Sequence, residues 1–183
     1  AINSPSIVED DYGITALEFI VTQTGFQVVG GYSVSYYTSN GTAKSPSDFA
    51  GGGGSVSFSE VDSYNGATDT ITINVNGDDM VEPNEEFFVV LNTVNAPDRN
   101  VTINPAGKTG TGTITNDDSS SLSINDVSIT EGDSGTKNRT FTVTLTNPVE
   151  LGVKVDYETV DGTATDADGD YDSQTGTLTF VGT

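Results

Sequence analysis

The sequence predicts an all-β protein made of antiparallel two-sheet sandwiches in tandem, the second copy truncated. Three observations predict it. Short runs alternate apolar and polar residues with period two, as half-buried strands do. No stretch shows an apolar repeat of 3.6 residues. One ordered set of motifs occurs twice at a nearly constant spacing, the mark of an array.

The strands follow in order. Residues 17–22 (Leu-Glu-Phe-Ile-Val-Thr) are apolar and β-branched, and residues 32–37, 55–58 and 70–75 alternate. Residues 87–91 (Phe-Phe-Val-Val-Leu) form a denser run, as expected of a more buried strand, and residues 110–115 close the set. A two-sheet sandwich is the simplest way for such strands to bury one face each. The 21 glycines and the many Thr, Ser, Asp and Asn residues suit short strands joined by turns.

The repeat is read directly from the residues. Residues 6–13 resemble 128–135, Phe19-Ile20-Val21-Thr22 resembles Phe141-Thr142-Val143-Thr144, and residues 36–43 resemble 157–164. Asp48-Phe49 matches Asp170-Tyr171, and residues 54–58 match 176–180. The offset stays at 121 or 122 positions throughout. The expected domains are residues 1–118 and 119–183, with a very short junction at residues 116–121. Nothing in the second copy corresponds to residues 70–115 of the first. It is therefore expected to be an incomplete sandwich, poorly stable alone or borrowing strands from a neighbouring chain.

The charge balance narrows the function. With 27 acidic and 6 basic residues the net charge is −21, which repels nucleic-acid phosphates and anionic lipid and attracts divalent cations. There is no Cys and no His, so thiolate sites and a serine triad are excluded and zinc, copper and iron are poor candidates. Carboxylate pairs can hydrolyse glycosides, but the aromatic platforms of a sugar cleft are missing: there is no Trp, and Tyr and Phe fall mostly at strand-core positions. The expectation is a protein that is not an enzyme. No run is apolar and long enough to cross a membrane.

Acidic residues of the first copy cluster where strands should turn: residues 9–11, Asp48, residues 77–86 and residues 116–118. In an antiparallel sandwich, loops from alternate strands gather at one end. Two like charges about 4 Å apart repel by about 4 kcal/mol at an effective dielectric near 20. Several such pairs would rival the whole stability of a small domain, about 5–15 kcal/mol. Either the groups stay apart or a cation bridges them. Ca2+ accepts six to eight oxygens in irregular geometry, whereas Mg2+ is smaller and keeps more water. No EF-hand loop is present, since Asp78-Asp79-Met80 lacks its alternating oxygens and central glycine.

The order of these motifs resembles the Calx-β family. The resemblance is carried by Val8-Glu9, Asn40-Gly41-Thr42-Ala43 with Asp48-Phe49, Gly77-Asp78-Asp79 with Glu82-Pro83-Asn84-Glu85, and residues 112–118. In the second copy it is carried by Glu131-Gly132, residues 161–164 and Asp170-Tyr171. It implies an immunoglobulin-like β-sandwich that holds Ca2+ at one end, at the junction with the next domain. The ligands it implies are Glu9, Asp48, Asp78, the Met80 carbonyl, Glu82, Glu85, Asn116, Asp117 and Asp118, with Glu131 and Asp170 as weaker second-copy candidates. Asn116 stands where exchanger domains carry a third aspartate, which puts one of several ions in doubt. Asn40 and Asp161, before Gly-Thr, read as turn formers. The function implied is a structural or adhesive module of an extracellular, cell-surface tandem-repeat protein, with calcium stiffening the inter-domain junction. Its expected partners are calcium ions, neighbouring repeats and a cell-surface or matrix ligand. The alternative is a Ca2+-sensing regulatory domain of a membrane exchanger or receptor.

Overall fold

The computed structural model describes all of residues 1–183, and apart from one short 3-10 turn, Pro105–Gly107, its regular structure is β. The chain divides into two compact units. The first is Ala1–Asp79 with Pro83–Asp118, and the second is Met80–Glu82 with Ser119–Thr183.

In the first unit, β1 (Ser6–Val8), β3 (Tyr32–Asn40), β4 (Gly53–Phe58), β6 (Glu85–Asn95) and β7 (Thr109–Thr115) form one sheet in the order β1-β7-β6-β3-β4. The second sheet pairs β2 (Gly13–Thr22) with β5 (Thr68–Gly77). All the strands read from the sequence are present, each longer at one end or both. One pairing departs from the antiparallel expectation: β1 runs parallel to β7, Ser6 opposite Thr113 and Val8 opposite Thr115. Three residues are too few to show alternation, so β1 was visible in the sequence only as part of the repeat.

The core follows from the pleat. Leu17, Phe19 and Val21 of β2 and Ile71, Ile73 and Val75 of β5 alternate inward from one sheet. They meet Val34, Val56, Phe58, Phe87, Val89, Leu91 and Ile114 of the other. At the centre, Phe87 stacks on Phe49 (centroids 4.2 Å apart, planes at 14°) and meets Phe19 edge-on at 5.8 Å. Gly112 lies over these rings; a Cβ there would stand 2.7 Å from Phe87 and 2.8 Å from Phe19.

The second unit contains β8 (Leu122–Ile124) paired with β9 (Val143–Leu145), and β10 (Val153–Glu158) paired with β11 (Thr175–Phe180). Residues 80–82 belong to it through a bridge from Val81 to Val149, with Val81 N donating to Pro148 O and Glu150 N to Val81 O. None of the buried core residues lies in 119–183, and Phe141 and Leu151 are exposed.

Candidate metal centre

Three chain segments converge at one end of the first unit. The first carries Glu9. Its backbone N–H donates to Thr115 O at 3.2 Å, extending the β1–β7 ladder by one residue. The chain then turns through Asp10, which has a left-handed φ of 69°, and the Asp10 carboxylate accepts from the Thr15 hydroxyl at 3.0 Å. This turn leads into β2 and sets Gly13 opposite Gly77.

The second segment is the end of β5. Gly77 lets the strand pass directly against the turn; a Cβ there would lie 2.2 Å from Asp10 O and 2.7 Å from Glu9 O. That close approach delivers Asp78, the next residue, beside Glu9. The third segment leaves β7. Asn116 N donates to the Asn84 side chain at 3.2 Å, and the Asn116 amide donates to Asp118 O at 3.1 Å. These two bonds fold residues 116–118 back toward the cluster.

The result is a trio of carboxylates. Glu9, Asp78 and Asp118 each contribute an oxygen, and these oxygens lie within 4.8 Å of one another. Glu9 is only 5% exposed, unusual for a carboxylate. Asp118 is half-buried, and its Oδ2 is buried without a hydrogen-bond partner. Burial pushes the Asp118 carboxyl above its ordinary value, and the charges of Asp11, Asp117, Asp78 and Asp79 push it the same way. A half-buried carboxylate with an unmet oxygen, surrounded by like charge, fits a cation. Oxygen-only donors fit a hard one.

The other residues singled out in the sequence are not members of this trio. Asp117 is exposed and reaches the trio through its charge. Glu85 opens β6 opposite Ile114 and is not one of the trio. Asn116 acts as a brace for Asp118. Met80 and Glu82 belong to the second unit. Asp48 is not one of the trio: its Oδ2 accepts from Lys44 N at 2.5 Å, closing the loop between β3 and β4, and its backbone O accepts from Asn76 N at 2.9 Å near the end of β5. The second copy repeats that bond, Asp170 Oδ2 accepting from Thr165 N at 3.0 Å. In the same loops Asn40 Oδ1 accepts from Ser45 N and Asp161 Oδ1 from Asp166 N. Both residues are turn formers in the bonds they make. Tyr171 also donates to Asp161 at 2.6 Å, and this bond, followed by that from Asp166, holds the Asp161 carboxyl below its ordinary value. Glu131 is exposed and outside any strand. Sequence reasoning passed over Asn84 and Gly77 as parts of the site. A Gly directly before an acidic pair was the available signal for the second.

The sequence model of the Calx-beta domain matches the chain twice, over residues 4–119 and 115–182. Among solved structures, the apo form of the Calx CBD1 domain is 25% identical, with a TM-score of 0.51 over 64% of this chain and 96% of that one. CBD12 from CALX1.2 shares the fold at 24% identity and a TM-score of 0.50, covering 98% of this chain and 69% of that one. Calcium binding domain CBD12 of CALX1.1 does so at 20% identity and a TM-score of 0.50, covering all of this chain and 71% of that one. No curated protein sequence matches the chain.

Proposed function

We propose, from the premise that this chain belongs to the Calx-beta domain family, that its first unit is a calcium-binding module held by Glu9, Asp78 and Asp118. The observation that carries this reading is the convergence of those three carboxylates with a buried, unmet oxygen on Asp118. Bound Ca2+ supplies positive charge among oxygens that otherwise repel one another. The residues do the rest. The Glu9 backbone is fixed by the β1–β7 ladder, Asp78 by the Gly77 contact, and Asp118 by Asn116 and Asn84. Asp117, Asp11 and Asp79 add the field that draws a cation in.

The wider role we assign is structural rather than catalytic: a repeat in an extracellular tandem array on a cell surface, in which calcium bound at the end of one copy stiffens its junction with the next. Supporting it are the two family matches meeting at residues 115–119 and the acidic, cysteine-free composition. Adhesion to a surface or matrix ligand is part of the same reading.

Calorimetric titration with Ca2+, with Mg2+ at the same ionic strength as control, tests the binding step. The expected result is a saturable Ca2+ isotherm that Mg2+ does not reproduce and that Asp78→Asn weakens at least about tenfold. Equal responses to the two ions, or an unchanged isotherm in the variant, would sink the assignment.

A further inference from the structure

The opposite end of the first unit carries a second feature, independent of the metal reading. β2 is ten residues long, so about 30 Å separate its Gly13 end, beside the carboxylates, from its Thr22 end. Beyond Thr22 the chain makes the loop 23–31, and beyond β6 it makes the loop 96–104. Between these loops lies an open cleft of about 620 Å³, within the range typical of small-molecule sites.

The cleft is built rather than incidental. One wall is pinned by Gln23, which is 7% exposed. Its amide donates to Ser63 O at 2.7 Å and Phe26 O at 2.9 Å, and its carbonyl accepts from the Tyr32 hydroxyl at 3.0 Å. Ser63, fully buried, bonds both the N–H and the C=O of Val28. The loop therefore has its backbone fixed from beneath. The floor is apolar: Phe58 stacks under Tyr32 with centroids 5.0 Å apart. At the rim, Phe26 is 96% exposed, and Val29 is also exposed. A loop that is fixed from within yet holds a whole phenyl ring in water offers a ready apolar contact.

Arg99 supplies the polar group. Its guanidinium lies over Gly30, where a Cβ would stand 2.8 Å from Nη2. Nη1 donates to Pro97 O at 3.1 Å, while Nε is buried with no hydrogen-bond partner. The nearby Glu60 carboxylate accepts from the Gly30 N–H at 3.2 Å and makes no bond to the guanidinium. In a chain with 27 acidic and 6 basic residues, an arginine guanidinium lining a cleft of mixed polar and apolar surface is complementary to a carboxylate.

We propose that this cleft binds small organic carboxylates with an apolar body, the carboxylate on Arg99 and the body on Phe26, Tyr32 and Phe58. The test is an amide NMR titration of the full chain, in chelator, with phenylpropanoate and its neutral amide analogue. The expected result is a saturable set of shifts confined to the cleft lining, loops 23–31 and 96–104 with Tyr32, Val34, Phe58, Leu91 and Val94 beneath them, with the amide at least about tenfold weaker. Arg99→Gln should remove the preference for the carboxylate and leave the melting temperature unchanged. Shifts outside the cleft lining, no saturation, or equal binding of acid and amide by the unsubstituted chain would overturn the proposal. The comparison of the two ligands stands whether or not the variant folds, and the chelator keeps the outcome separate from calcium binding.

Discussion

Asp118 concentrates the electrostatics of the first unit in one side chain. Its carboxylate is partly desolvated, has one oxygen without a partner, and faces four other aspartates. Without a cation each of these conditions works against the folded state, because each disfavours the charged form. Removing the charge should therefore have opposite effects under two conditions. In chelator, Asp118→Asn is expected to raise the melting temperature of the first unit by about 3–6 °C. In calcium the same substitution should weaken binding at least about tenfold, so that the stabilising effect of the ion shrinks. Thermal melts followed by circular dichroism in the two buffers check both halves. A variant less stable than the parent in chelator would show that Asp118 is held by bonds rather than strained by repulsion.

At the scale of elements, the site depends on how tightly the end of β5 packs against the turn after β1. Gly77 sits within 2.7 Å of two carbonyl oxygens at the position a Cβ would take. Gly77→Ala must push the turn away, with an expected cost of about 1–3 kcal/mol and a weaker calcium response, since Glu9 and Asp78 move apart. Chemical denaturation with and without calcium measures both. This contact also shows what the sequence could and could not reveal. The β2 and β5 runs were legible because alternation and β-branching report burial on one face. That Glu9, Asp78 and Asp118 lie in three acidic turns was legible too. What distinguished them from Asp48 was not. Asp48 sits in an equally turn-rich setting, but its carboxylate closes a local loop onto Lys44 N, as Asp170 does onto Thr165 N. Whether an aspartate caps its own turn or faces a distant one depends on the direction of its backbone. Residue type does not encode that. The pairing of β1 with β7 was hidden for a related reason: a three-residue strand is defined by its partner and has no pattern of its own.

The whole molecule joins two units of unequal solidity. Every buried core residue lies between Ile2 and Ile114, while residues 119–183 form two separate strand pairs with apolar side chains such as Phe141 and Leu151 facing water. Hydrogen exchange should divide along that line. Amides of β2, β5 and β6 are expected to exchange only through global opening of the first unit, and those of β8–β11 several orders of magnitude faster. A single protection class across the chain would contradict this division. Calcium should slow exchange in the first unit and leave the second nearly unchanged, because the carboxylate trio belongs wholly to the first.

The measurement closest to the central claim is differential scanning calorimetry of the full chain, once in chelator and once in calcium at about one hundred times its dissociation constant, at matched ionic strength. Binding confined to the folded state then adds about 2.7 kcal/mol, and the transition of the first unit should move up by about 10 °C. Superimposable transitions in the two buffers would mean that the three carboxylates tolerate one another unaided, and the metal centre would have to be abandoned.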